Sequence, residues 1–392
     1  MPKRTKLCIE STPYQYKGKK LRLTKSYSAP NYNSSTILTD DPFTYVEFYF
    51  NTKKKVMRYR DVAASKAKFG DGNKYHYSFY WNQAKSFYDA TKALPLDSKP
   101  LTAYYCMLNA VKAYLAYRSD YLEDFVESFS RHGLGEENQA KGTDLSTIAV
   151  YRQKQGVFPL FGKALEPDFD AIWPYGKNEA ISLKSLLYNL AYIHRAYIVT
   201  YTEPKKAKIP EMFIPLPASK VPYYYKGNDS NLYMKIELDK NYFPTSAKTI
   251  PSHTMAGICS EFTVSCEDNF ILQSVRGAKR NSSDSLSKEF KELNCKLRKE
   301  FQYIKSNNRL WYLKKSKLSN PDVVNLNSML ITMAAMHRIS EIVRYKPEQL
   351  ANLMKSKENW LLHEFITLAL DQFIDEIAAE ITGQELMCTG NK

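Results

Sequence analysis

The sequence predicts a mainly α fold, a helical bundle carrying a small β-rich insertion. Three observations predict it. The stretch 99–118, KPLTAYYCMLNAVKAYLAYR, is apolar on nearly every side at helical period, as a helix at the centre of a bundle must be. Two later stretches of like character, 183–199 and 326–343, match each other at Leu183/Leu326, Ser185/Ser328, Leu187/Leu330, Ala191/Ala334, His194/His337 and Arg195/Arg338. Between them, over 205–275, prolines become frequent and apolar and polar residues alternate, which is the signature of strands.

In chain order, residues 1–44 read as a basic, irregular or partly extended N-terminal arm. The run 45–50 (YVEFYF) reads as a strand or an early helix. A helical period begins at Tyr77, with Phe79, Tyr80, Ala84, Phe87 and Tyr88 on one face. Pro100 opens the central helix in its first turn, where a missing N–H is tolerated. A further amphipathic segment, 121–129, is expected to end at His132-Gly133-Leu134-Gly135. An extended segment is expected over 148–161, and a helix over 182–201 that stops before Pro204 and closes a helical region spanning 45–204. In the 205–275 insertion, the alternating runs around Gly227-Asn228-Asp229-Ser230 read as a hairpin. The remainder, 276–392, reads as a C-terminal helical region: a basic linker, a helix over 286–304, then helices over 326–343, 345–357 and 360–382.

Composition narrows the function classes. The 392 residues are 44% hydrophobic and 25% charged, the balance of a water-soluble folded chain. No stretch approaches the roughly 18 consecutive apolar residues of a membrane span, and the N-terminus has no secretory pattern, so a cytoplasmic protein with no membrane partner is expected. The six cysteines are scattered without a CxxC pair, which suits thiols in a reducing compartment and argues against a zinc site. The phosphate-cradling patterns GxxxxGK[ST] and GxGxxG are absent, as is GxSxG, so no cofactor is expected. No metal is expected either. Asp120, Glu123, Asp124 and Glu127 form an acidic helical row with no histidine, the usual look of a solvated face.

The formal charge of +15 favours a polyanionic partner, RNA or DNA, through counterion release. It is concentrated in the arm (Lys3, Arg4, Lys6, Lys19, Lys20, Arg22) and again over 276–317. There Arg298, Lys299, Arg309, Lys314, Lys315 and Lys317 interleave with aromatics such as Trp311, a pattern suited to stacking bases and neutralising phosphates. The competing explanation is an amphipathic helix with core aromatics and solvated lysines. His194-Arg195 and His337-Arg338, at one phase of two similar helices, would form an anion pocket together with Lys112 if the repeat were a structural duplication. Otherwise each would satisfy a buried acid or carbonyl where helices cross. His132, beside Arg131 and a glycine pair, is the lone histidine best suited to acid–base work; its plain alternative is a helix cap.

Lys99-Pro100-Leu101, Tyr104-Tyr105, Lys112, His132-Gly133-Leu134, Gly156-Val157-Phe158 and Arg344-Tyr345-Lys346-Pro347, followed by Trp360 and Phe365, in that order, resemble the YaaC-like family of bacterial proteins over 75–385. The resemblance implies a bacterial setting and an architecture rather than a chemistry. A remoter similarity is to HEPN domains, whose second helix is apolar with a Tyr-Tyr pair and a lysine, like 103–115. It implies a bundle that is HEPN-like in part and, by analogy, an antiphage or toxin–antitoxin system. Active HEPN members place an arginine a few residues before a histidine. Here Arg131 is adjacent to His132 and the next arginine upstream is Arg118. The expected function is therefore a non-enzymatic nucleic-acid-binding or scaffold component that meets other proteins of its system. The alternative is a divergent HEPN-type ribonuclease or toxin using Arg131 and His132, with Arg118 as a phosphate clamp.

Overall fold

A computed structural model describes residues 11–28, 30–33, 35–52, 77–118, 128, 130–138, 144–204, 208–217, 223–226, 230–279, 286–308 and 310–390. Two hydrophobic cores organise them. The larger is built around the Lys99–Tyr117 helix, which buries residues on every side, from Ala103 and Tyr104 to Leu115 and Ala116. The Tyr77–Ala93 helix lies along it, and the Ser328–Tyr345, Asn359–Thr382 and Val157–Leu165 helices close around it. The Pro42–Thr52 helix joins through an aromatic cluster. Trp81 donates its indole N–H to the Phe43 carbonyl at 3.0 Å, and Phe50 lies 4.5 Å from Tyr77 and 5.2 Å from Tyr117. Asp41 caps that helix by accepting from the Phe43 and Thr44 amides. A three-stranded antiparallel sheet, Leu134–Asn138, Ile148–Arg152 and Ile181–Ser182, flanks the bundle.

The smaller core is a β unit. Ser11–Pro13, Tyr223–Lys226, Asn231–Glu237, Ile271–Ser274 and Phe262–Val264 pair in that order, and Ala278–Lys279 also pairs with Asn231–Glu237. A second sheet runs Phe301–Ile304, Leu310–Lys314, Phe213–Leu216, all antiparallel. The Lys288–Arg298 helix packs Phe290, Leu293 and Leu297 into the same core.

The fold is therefore mixed α/β, with 48% helix and 17% strand among the described residues in several small sheets, and this corrects the mainly α, partly HEPN-like bundle that the sequence predicts. Each departure has a physical cause. The arm does not stay outside: Leu21 and Leu23 enter the β core, and Lys25 and Tyr27 are buried between the two cores. Lys25 pairs with Asp375 at 2.7 Å, and the Tyr303 hydroxyl donates to the same carboxylate at 2.7 Å. Glu380 accepts from the Tyr27 and Ser28 amides. The helix expected over 286–304 stops at Arg298, whose side chain is drawn inward to backbone carbonyls, and the chain turns into the Phe301–Ile304 strand. The helix expected over 182–201 is cut into Leu183–Tyr188 and His194–Tyr201 by a tight turn over Ala191–Ile193. Gln302 drives that break. Its amide donates to the Asn189 carbonyl at 2.9 Å and accepts from the Ala191 amide at 2.9 Å, taking two groups a continuous helix would pair internally. The extended segment expected over 148–161 holds for the Ile148–Arg152 strand and then gives way to the Val157–Leu165 helix, with Pro159 in its first turn. His132 precedes the Leu134–Asn138 strand, and the segment it is expected to cap, 121–129, lies outside the described residues except for Ser128. The acidic row at 120–127 lies outside the described residues.

Candidate functional site

Two places gather chemically able side chains. The first is a cleft of about 880 Å³ where the two cores meet, in the size range of small-molecule sites. Tyr312 comes from the Leu310–Lys314 strand, Phe213 and Pro215 from its neighbour, and Tyr242 and Phe243 from a tight turn of the β unit; the helical side supplies Tyr192, His194 and Arg195. His194 works as a pin. It accepts from the Met212 amide at 3.1 Å through Nε2 and donates to the Tyr188 carbonyl at 3.2 Å through Nδ1. Burial, with Lys315 and Arg195 nearby, pushes its pKa down to about 4, so it is neutral and its 3.7 Å approach to Glu211 is no ion pair. Arg195 is largely exposed and stands 3.7 Å from the same Glu211. Lys315 is buried in the cleft wall, and burial lowers its pKa against the pull of Glu211. The cleft thus offers aromatic faces, two cations and one carboxylate.

The second place surrounds His132. The backbone there makes a close crossing. Gly133 (φ +85) and Gly156 (φ +134) touch so nearly that a Cβ on Gly156 would sit 2.4 Å from the Gly133 Cα. The carbonyls of Arg131, His132 and Gly133 accept from Val157, Phe158 and Gln153. This crossing sets the half-exposed His132 ring against the central helix, 5.3 Å from Tyr104 and 6.2 Å from Tyr105 between centroids. His337, from the Ser328–Tyr345 helix, lies 5.9 Å from His132 and 4.9 Å from Tyr104. Burial holds both imidazoles below the usual range, His337 down to about 3. Lys112 and Arg344 act on His132 in the same direction. Among the described residues, the Nδ1 of His337 and the hydroxyl of Tyr104 are buried without a hydrogen-bond partner.

The remaining predicted residues separate. Arg338 is fully buried and donates to the Ala149 carbonyl and to Glu136, both at 3.0 Å, so the His194-Arg195 and His337-Arg338 pairs serve different surroundings rather than one anion pocket with Lys112. Lys112 stands over the Tyr80 ring. Arg118 follows the far end of the central helix, bonded to Ser28, about 20 Å along the axis from the Tyr104 turn. Arg131 is exposed and donates to Gln155 at 2.9 Å.

Of the basic stretch, Arg298 is fully buried. It donates to the carbonyls of Thr24, Lys25 and Phe301 and stacks 3.8 Å from Tyr27 and 4.8 Å from Trp311. Lys314 is buried with its pKa pushed down to about 8 by burial, donating to the Val324 carbonyl, while Lys299 stands 3.4 Å from the buried Glu166. Lys315 reaches the cleft, and Lys317 is exposed with its ammonium 3.1 Å from Ser260. Lys19, Lys20 and Arg22 are exposed. Lys3, Arg4, Lys6 and Arg309 lie outside the described residues. Sequence reasoning missed Tyr242, Phe243 and Glu211. Their only local signal is the Tyr242-Phe243-Pro244 run in a segment otherwise read as strand and turn.

Among the described residues, no group of three or more His, Cys, Asp and Glu side chains is placed to hold a metal ion, and no helix is long and apolar enough to cross a membrane. A model of the YaaC-like protein family matches residues 45–381. No curated protein and no solved structure matches the chain.

Proposed function

The chain belongs to the YaaC-like family, and from that premise we propose that it binds single-stranded nucleic acid, RNA or DNA, in the cleft between its two cores and does so without chemistry. One observation carries the proposal: Arg195 and Lys315 meet Tyr242, Phe243 and Tyr312 along one groove. Aromatic faces take bases of any identity, and cations beside them take the phosphates, which together give sequence-tolerant binding. The overall charge of +15 draws a polyanion toward the groove from a distance. Glu211 opposes phosphate and tempers the affinity. The thiols of Cys106, Cys259, Cys266, Cys295 and Cys388 are unpaired, which suits the reducing bacterial cytoplasm as the working compartment. Other proteins of the same system are the remaining expected partners.

Fluorescence anisotropy with labelled single strands tests this. Affinity should fall linearly on a log–log salt plot, with a slope of about −0.7 for each phosphate neutralised. Arg195→Ala, an exposed change, should shallow that slope by about one phosphate, and Tyr242→Ala should weaken binding without altering it. Absence of binding at low salt, or binding indifferent to salt and to both changes, overturns the proposal.

A further inference from the structure

We propose that His132, His337 and Tyr104 form a second site, for a phosphate-type oxyanion, with Lys112 and Arg344 supplying the countercharge. The site draws on three separate parts of the chain: the segment before the Leu134–Asn138 strand, the central helix and the Ser328–Tyr345 helix. Two of its polar groups, the His337 Nδ1 and the Tyr104 hydroxyl, are buried with no hydrogen-bond partner among the described residues, although their rings are only 4.9 Å apart. Buried polar atoms are ordinarily satisfied, and two neighbouring exceptions call for a ligand. His132, the half-exposed member, is the route in from solvent.

The surrounding charges select an anion. The charged groups acting on His132 are Lys112, from the central helix, and Arg344, from the Ser328–Tyr345 helix. The carboxylates of the adjoining strand are already engaged, Glu136 by Arg338 and Lys346, Glu137 by Lys177. Among the described residues Glu341 also faces the cluster, with its pKa raised by burial and by Glu136, and Arg344 and Arg338 act against that rise. The Val157–Leu165 helix offers His132 a backbone N–H, from Phe158 to the His132 carbonyl. Imidazole N–H groups and a phenol are donors, and phosphate presents enough acceptor oxygens to meet them together with two cations. Burial keeps both imidazoles neutral near pH 7, and the negative charge of a phosphate bound there favours protonation of His132. Bound phosphate therefore raises the proton affinity of His132.

Proton NMR of the His132 ring, titrated from pH 8 to pH 4 in the full chain, reads this directly. In inorganic phosphate its titration midpoint should rise by at least one pH unit, a tenfold gain in proton affinity, relative to chloride at equal ionic strength. Tyr104→Phe removes one hydroxyl and keeps the ring; it should cut phosphate affinity at least fivefold. A parallel titration with phenyl phosphate distinguishes the ligand's source: a response to both means a phosphate end group is recognised, and a response to inorganic phosphate alone means the free ion. The same midpoint in phosphate and chloride, or a phosphate response untouched by Tyr104→Phe, overturns the inference.

Discussion

The helical core and the β unit are held together by different kinds of interaction. Around the Lys99–Tyr117 helix, order is apolar and mostly contributed by helices whose faces can be counted off at a period of 3.6 residues. In the β unit, and along the seam it shares with the helices, order depends on partners far apart in the chain. Ser11–Pro13 pairs with Tyr223–Lys226, Phe213–Leu216 with Leu310–Lys314, and Lys25 with Asp375. The first kind tolerates local change, because any apolar residue of similar volume serves. The second rests on single polar side chains that bind several backbone groups at once.

The sharpest way to break that contrast is Arg298→Ala. It strands three buried carbonyls and empties the space between Tyr27 and Trp311. A loss of about 3–5 kcal/mol in urea unfolding is expected from three buried carbonyls left without a donor and from the lost packing. A loss under about 1 kcal/mol would mean the seam holds without it.

Acid separates the regions next. His194 pins the seam and His337 sits in the helical core, with folded pKa values pushed down to about 4 and about 3 from an ordinary 6.5. Groups depressed in this way contribute stability above pH 6.5, and that contribution is lost as pH falls toward the folded values. Between pH 7 and pH 5 each should cost on the order of 2 kcal/mol. The urea midpoint at the two pH values measures the sum, and His194→Gln should flatten the seam's share alone. An unchanged pH dependence in that variant would place the acid sensitivity elsewhere.

The smallest effect is the most telling. Gln302→Leu removes the amide that interrupts the 182–201 segment, at a cost of about 1–3 kcal/mol for the buried Asn189 carbonyl left without its donor, the half-buried Ala191 amide being able to turn to water. Hydrogen exchange at Ala191 should accelerate while exchange within the Lys99–Tyr117 helix stays unchanged. Equal acceleration in both would show that the two regions open as one.

The same contrast explains what could be read from the chain. The central helix, the start of the last long helix and the antiparallel pairing of Tyr223–Lys226 with Asn231–Glu237 are legible because periodicity and turn chemistry are local. The candidate sites are legible only in fragments. His132, Lys112, Arg195 and Lys315 announce themselves by type, but their companions do not. The repeat sets His194 in phase with His337, whereas the folded chain brings His337 to His132 and gives His194 to the Met212 amide. Phase within a helix says nothing about which helix faces it. Nor does any local pattern reveal that Gln302 will reach into a helix more than a hundred residues away.

By itself, then, the sequence determined the greasy central rod and an excess of positive charge, since each follows from side-chain type and spacing alone. Only the tertiary structure decided that the basic segment around Arg298 turns inward, that Lys25 and Tyr27 are sealed between two cores, and that aromatics of the β unit meet Arg195 of the helical one. Those outcomes depend on which buried carbonyls and carboxylates need a partner, and that need exists only once distant segments have excluded water from between them.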